Sequence, residues 1–175
     1  MKLELLKEKM DQAHYIYDDT LAVTLAVALQ LGRPLLIEGA AGVGKTEVAK
    51  VMAQALDRDL VRLQCYEGLD ESKALYEWNY QKQLLSIQVN MAEQDKDQLT
   101  KSLFSDEYLL ERPLLKSIRS DKPVVLLIDE IDKADEEFEA FLLEILSDLQ
   151  VSIPEIGTIP AKSVPFVVLT SNRAR

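Results

Sequence analysis

The sequence predicts an α/β fold, a parallel sheet flanked by helices, on three observations. The octapeptide Gly39-Ala40-Ala41-Gly42-Val43-Gly44-Lys45-Thr46 joins a short apolar run to an amphipathic one. A second apolar run, Lys122 to Ile128, closes on the paired acids Asp129 and Glu130. Around these, strand-like and helix-like segments alternate in a βαβ series, the pattern that buries a parallel sheet under helices on both faces. At 175 residues the chain can bury one substantial core, so positions 1–175 are read as a single domain.

Each element has a local cause. After an opening helical segment, Pro34-Leu35-Leu36-Ile37-Glu38 is a short apolar run entered through Gly32 and Pro34, as a buried parallel strand should be. The helix after the octapeptide begins near Lys45, and Val48, Val51, Met52, Ala55 and Leu56 share one face of it. Leu60 to Cys65 reads as a second strand. The region that follows is helical and irregular, and its most polar stretch, Met91 to Lys101, marks a solvent-facing insertion within about 70–105. Lys122 to Ile128 reads as a central strand that delivers Asp129 and Glu130 at its C-terminal edge, where open α/β sheets bind ligands. Asp135-Glu136-Glu137 opens a helix whose Phe138, Phe141, Leu142, Ile145 and Leu149 form an apolar stripe of core residues. Val151 to Ile153 and Thr158 to Pro160, around Gly157, are the arms of a projecting hairpin over about 151–161. Pro165 to Thr170 is the last strand, and it ends in Ser171-Asn172.

The octapeptide fits the phosphate-loop pattern G-x-x-x-x-G-K-[ST], which makes a nucleoside triphosphate the expected ligand. Phosphate oxygens need backbone N–H groups turned inward, and small residues leave them unobstructed. Ala41, Gly42, Val43, Gly44, Lys45, Thr46 and Glu47 are the expected binding set, with the N-terminus of the next helix aimed at the same phosphates. Lys45 supplies charge to the β and γ groups, and the Thr46 hydroxyl reaches Mg²⁺. Asp129 is placed to hold the same Mg²⁺, directly or through water, while Glu130 orients and polarises an attacking water. Asn172, emerging beside the acids, is read as a contact to the γ-phosphate or to that water. Lys45, Glu130 and Asn172 are therefore the expected catalytic residues, and Thr46 and Asp129 the metal ligands.

Composition excludes several classes. With 47% hydrophobic and 29% charged residues the chain reads as a soluble globular protein. Its net charge of -10 lacks the clustered Lys and Arg that a nucleic-acid surface requires. Leu21 to Leu31 is too short and too interrupted to cross a membrane, and the N-terminus has no signal core, which makes the cytoplasm the expected compartment. Cys65 has no partner for an internal disulfide and reads as a small buried residue. With His14 also alone, a His/Cys metal cage lacks ligands, which leaves oxygen-bound Mg²⁺.

The GAAGVGKT loop, the LLIDEID strand end and the LTSN segment together resemble AAA+ ATPases, and within them the MoxR group. Leu63-Gln64-Cys65-Tyr66-Glu67-Gly68-Leu69-Asp70 and Ala74-Leu75-Tyr76-Glu77-Trp78-Asn79-Tyr80 are similar to the CoxD-like branch, associated with maturation of molybdenum-containing carbon monoxide dehydrogenases. The resemblance implies a P-loop NTPase core using ATP and Mg²⁺, assembled as a homo-oligomeric, usually hexameric ring. It also implies a protein client and a partner with a von Willebrand factor A domain. It places the adenine-side segment at Tyr15-Ile16, a sensor at Asn172, a helix-2 insertion at Trp78 to Gln88 and a pre-sensor hairpin at Val151 to Ala161. For Trp78, Tyr76 and Tyr80, core packing and client contact both stay open. Family members continue past the position of Arg175 into an arginine-finger helix, a further strand and a helical lid, so the expectation is an incomplete core with weak turnover; Arg173 and Arg175 match the start of that segment but are not read as the finger. Two other readings remain: a nucleotide-dependent binding module without turnover, and a small-molecule kinase or GTPase. Against the GTPase, no Asn-Lys-x-Asp guanine-reading motif occurs.

Overall fold

The computed structural model of the chain describes residues 1–90 and 96–172. Two helices, α1 (Leu3–Gln12) and α2 (Asp19–Leu31), lead into β1 (Leu35–Glu38). The glycine-rich loop opens α3 (Lys45–Leu56), which returns the chain to β2 (Leu60–Gln64). Next come α4 (Glu71–Ala74), β3 (Tyr76–Trp78), α5 (Tyr80–Asn90), α6 (Lys96–Leu103), β4 (Leu109–Glu111) and α7 (Pro113–Arg119). Then β5 (Val125–Asp129), α8 (Glu136–Asp148), a hairpin of β6 (Gln150–Ile153) and β7 (Gly157–Pro160), and β8 (Phe166–Ser171) follow. Helix starts are set by side chains that take orphan N–H groups: Asp18 accepts from the Leu21 N–H and Asp135 from the Phe138 N–H. Gly32 closes α2 in the left-handed conformation that glycine adopts without a Cβ penalty.

Strands β1, β8, β5 and β2 form one parallel sheet in that order. Every residue of β5 is buried, because the strand is covered on both faces. Val125 and Leu127 pack with α1, α2 and α3 through Leu6, Met10, Leu25 and Met52. Leu126 and Ile128 face the other way, onto α7 and α8 through Leu115, Ile118, Phe138 and Leu142. The βαβ order and the near-continuous burial of the central strands β5 and β8 agree with the expected α/β class.

Three details differ from the sequence reading, and the environment of Trp78 and Tyr80, open there, is defined here. The region after β2 contains a small antiparallel ribbon, β3 with β4, whose strands are too short to show in periodicity. In it Trp78 is buried and meets Phe104 edge-on at 5.2 Å, so core packing holds for this residue, while Tyr80 is exposed. The stripe of α8 stops short of Leu149, which adopts a left-handed conformation (φ 51°) as the helix cap. The hairpin does not project freely: Val151 and Ile153 are buried, and its strands lie against α7 and α8. Of the polar stretch Met91 to Lys101, Met91 to Asp95 lie outside the described residues, as do Arg173 and Arg175, and Lys96 opens α6. Among the described residues no helix is long and apolar enough to cross a membrane.

Leu127→Ala should lower unfolding free energy by about 3–4 kcal/mol in urea titrations, since the fully enclosed strand cannot collapse around the lost volume. Cys65 is buried and its thiol is pushed up to about 12, chiefly by burial and further by the nearby acids Asp129 and Asp132. A thiol reagent at pH 8 should therefore label Cys65 only as fast as the domain unfolds; immediate labelling of the folded protein would contradict the packing.

Candidate active site

Side-chain parity brings the site together. Successive residues of a strand point to opposite faces, so Val125 and Leu127 on the α3 side carry Asp129 to that side as well. The same alternation carries Phe166 and Val168 to Thr170. In β2, Val61 and Leu63 are committed to the opposite core, which leaves Arg62 and Gln64 on the α3 side. Register then aligns Gln64 with Asp129, and Thr170 follows directly on the Ile128–Leu169 pair.

The glycine-rich loop meets this row from β1. Gly42 (φ 82°) and Gly44 (φ 88°) hold the left-handed backbone that lets the loop fold back over the start of α3. Lys45 is only 8% exposed, and its ammonium donates to the carbonyls of Gly39 (2.8 Å) and Ala40 (2.6 Å). The Thr46 hydroxyl reaches across to Asp129, 3.1 Å from Oδ1 and 3.3 Å from Oδ2. Two residues far apart in the chain thus share one point.

Asp129 is almost enclosed. Its carboxylate accepts from the hydroxyls of Thr170 and Thr46 and from the guanidinium of Arg62, whose Nη2 lies 2.6 Å from Oδ2. Burial works to raise this carboxyl, but the hydrogen bonds from Thr170, Arg62 and Thr46 outweigh it and hold it below the usual carboxylate range. Glu130 follows in a left-handed conformation, φ 58°, rare for a residue with a side chain. Its N–H donates to the Thr170 hydroxyl (2.9 Å), and that hydroxyl in turn donates to Asp129. The Glu130 carboxylate accepts from Lys133, from Gln64 Nε2 (3.0 Å) and from Asn172 Nδ2 (3.0 Å). Lys133, then Asn172, hold it below its ordinary value despite some desolvation. The Asn172 N–H is itself fixed by Asp132 at 2.9 Å.

A cavity of about 350 Å³ joins these groups and is lined by Ala41, Gly42, Gly44, Lys45, Thr46, Glu47, Arg62, Gln64, Asp129, Glu130, Thr170 and Asn172. Three of the expected residues lie elsewhere. Val43 is largely exposed at the loop tip, and Ile16 is almost fully exposed. Tyr15 packs beside the α1–α3 core, with its phenol raised by burial and by the charge of Glu47. The sequence reading missed Arg62, Gln64 and Thr170 as site residues; the available signal was polar side chains at the C-terminal ends of otherwise apolar parallel strands. For a divalent ion, Thr46 and Asp129 set a hydroxyl and a carboxylate side by side in a wall that also carries Glu47, Glu130 and Thr170, and no group of three or more His, Cys, Asp or Glu among the described residues could cage a metal. That sparse oxygen set fits Mg²⁺, which keeps waters and takes phosphate oxygens instead of demanding a full protein shell.

Residues 34–174 match the model of the AAA domain, dynein-related subfamily. The chain belongs to this AAA family. Among solved structures, 343 chains match. One of them, a candidate ATPase from Cytophaga hutchinsonii, superposes with a TM-score of 0.60 at 19% identity. That match covers 99% of this chain, which spans 44% of the other, and it shows a shared fold. No curated protein matches the chain. The AAA assignment agrees with the parallel four-stranded sheet and its glycine-rich loop.

Thr170→Val removes one hydroxyl that serves both acids and strands the Glu130 N–H, and should destabilise the ligand-free domain by about 1–3 kcal/mol in urea titrations. Acidification should act through Asp129. Its folded pKa lies below the ordinary value of 3.8, so its contribution is present above that value and is lost as pH falls through the folded one. Asp129→Asn should flatten the slope of stability against pH below about pH 4; an unchanged slope would show that other carboxylates govern acid unfolding.

Proposed function

We propose that this AAA chain is the nucleotide-binding core of a Mg²⁺-dependent ATPase. The observation that carries the reading is the 3.1 Å approach of Thr46 to Asp129 across 83 residues of sequence, with Lys45 and Glu130 on either side. In this role the Lys45 ammonium exchanges the carbonyls of Gly39 and Ala40 for β and γ phosphate oxygens, and the backbone of residues 41–47 presents its N–H groups to the phosphates. Thr46 and Asp129 hold Mg²⁺, which draws charge from the terminal phosphate when bound. Glu130, kept ionised by Lys133 and Asn172, accepts a hydrogen bond from the attacking water and so orients and polarises it. Asn172, bonded to Glu130, is suited to report between that water and the γ-phosphate. Tyr15 and Ile16 are assigned to the adenine side, away from the phosphate cavity.

The finer reading rests on resemblance. The Leu63 to Asp70 and Ala74 to Tyr80 segments support a remodelling or maturation ATPase of MoxR type, CoxD-like, acting in the cytoplasm on a protein client such as a molybdoenzyme. A hexameric ring and a von Willebrand factor A domain partner belong to the same proposal.

Lys45→Ala should weaken ATP binding at least about tenfold by calorimetry, the scale of one lost charge-assisted contact; unchanged affinity would remove the phosphate-loop reading. In the full-length protein, Glu130→Gln should keep ATP binding and reduce phosphate release by about 10²-fold or more. Full turnover after that change would take the water-orienting role away from Glu130. Sedimentation with and without ATP tests the ring, which requires a nucleotide-dependent rise in mass.

A further inference from the structure

We propose that Arg62 is a built-in counter-cation for the metal-binding acid: its guanidinium holds Asp129 while no divalent ion is bound and yields that carboxylate when one arrives. The inference rests on the nucleotide and Mg²⁺ reading above and adds a residue that this reading does not use. Asp129 has a side chain only 5% exposed, and a carboxylate so enclosed requires a compensating partner. Thr46 and Thr170 are neutral, Lys45 is committed to loop carbonyls and Lys133 to Glu130. Arg62, 2.6 Å from Oδ2, supplies the positive charge.

The position of that charge matters. Thr46 lies 3.1 and 3.3 Å from the two oxygens of Asp129, so an ion shared by Thr46 and Asp129 would compete with the guanidinium for the same carboxylate. Two cations on one buried group repel strongly in a poorly screened site. Arg62 is built to give way. Its side chain is 53% exposed, so departure needs no unpacking, and its second bond, 2.6 Å to Gln64 Oε1, is independent of Asp129. A divalent ion of higher charge density then takes a carboxylate already ionised and already oriented by Thr170. The same guanidinium adds positive potential to the cavity when metal is absent.

The readout is the ratio of the affinity for a fluorescent ATP analogue in excess Mg²⁺ to its affinity in EDTA, measured by anisotropy on the intact protein. Arg62→Ala should raise that ratio about tenfold, equivalent to about 1.4 kcal/mol, because metal no longer displaces a resident charge and metal-free binding loses one. Arg62→Gln, which keeps a hydrogen-bonding side chain without charge, should behave alike and guards against a folding defect in the alanine variant; Arg62→Lys should stay near wild type. Mn²⁺ titrated into nucleotide-free protein and followed by electron paramagnetic resonance should bind more tightly to Arg62→Ala than to wild type. An unchanged ratio with unchanged Mn²⁺ binding would mean a structural role only and would overturn the proposal. A ratio that falls, through weaker binding in Mg²⁺, would make Arg62 a phosphate ligand and overturn it as well. Wild-type protein that holds the analogue in neither buffer would instead remove the nucleotide reading itself, and this inference with it.

Discussion

A carboxylate buried at the end of a doubly covered strand sets the terms for everything around it. Asp129 stays ionised because donors from three separate elements converge on it: Thr46 from α3, Thr170 from β8 and Arg62 from β2. Each of those bonds is worth little if its element is misplaced, and the carboxylate is costly to bury if any is missing. The requirement therefore ties the register of β2, β5 and β8 to the docking of α3. Packing on the two faces of β5 makes this register rigid, since a slip of one residue would move Asp129 into the α7–α8 core.

The adjacent acid is separated from Asp129 by backbone conformation. Had Glu130 continued the strand, its side chain would have entered the face occupied by Leu126 and Ile128. The left-handed turn at Glu130 breaks that alternation and directs the carboxylate toward Gln64 and Asn172. Such a conformation costs on the order of 1 kcal/mol for a residue with a side chain. The Thr170 hydroxyl offsets it by accepting the Glu130 N–H while donating to Asp129, so one side chain stabilises both acids in different directions. Neighbouring acidic residues are thereby aimed in different directions, as the proposed division between a metal and a water requires.

The parts of the site that were legible in the sequence are those encoded locally. The glycine-rich loop and the acidic strand end each lie within a few consecutive residues, and their chemistry follows from spacing. Arg62, Gln64 and Thr170 were not legible as site residues, because their role depends on which strands are neighbours and in what register, and a parallel sheet ordered β1-β8-β5-β2 does not follow chain order. The sheet itself was readable from apolar runs, whereas the three-residue strands β3 and β4 carry too few positions for alternation to register. Leu149 was misassigned for a related reason: helical spacing continues through it, but the backbone turns left-handed there and the stripe ends.

The cations around the site follow the same electrostatics. Three cations face the cavity or its rim, and each is already engaged: Lys45 with carbonyls, Lys133 with Glu130 and Arg62 with Asp129. Engagement keeps these long side chains close to where they act, and it avoids leaving buried charge uncompensated when no anion is bound. The three differ in what release would cost. Lys45 is enclosed and loses neutral carbonyl acceptors, which a phosphate oxygen replaces with a stronger one. Arg62 is half exposed and separates from a full negative charge, so its release requires a stronger cation at the same carboxylate. On the proposed reading, a site organised this way would bind triphosphate and metal with mutual reinforcement, because the phosphates would draw Lys45 forward while the metal took over the charge that Arg62 balances.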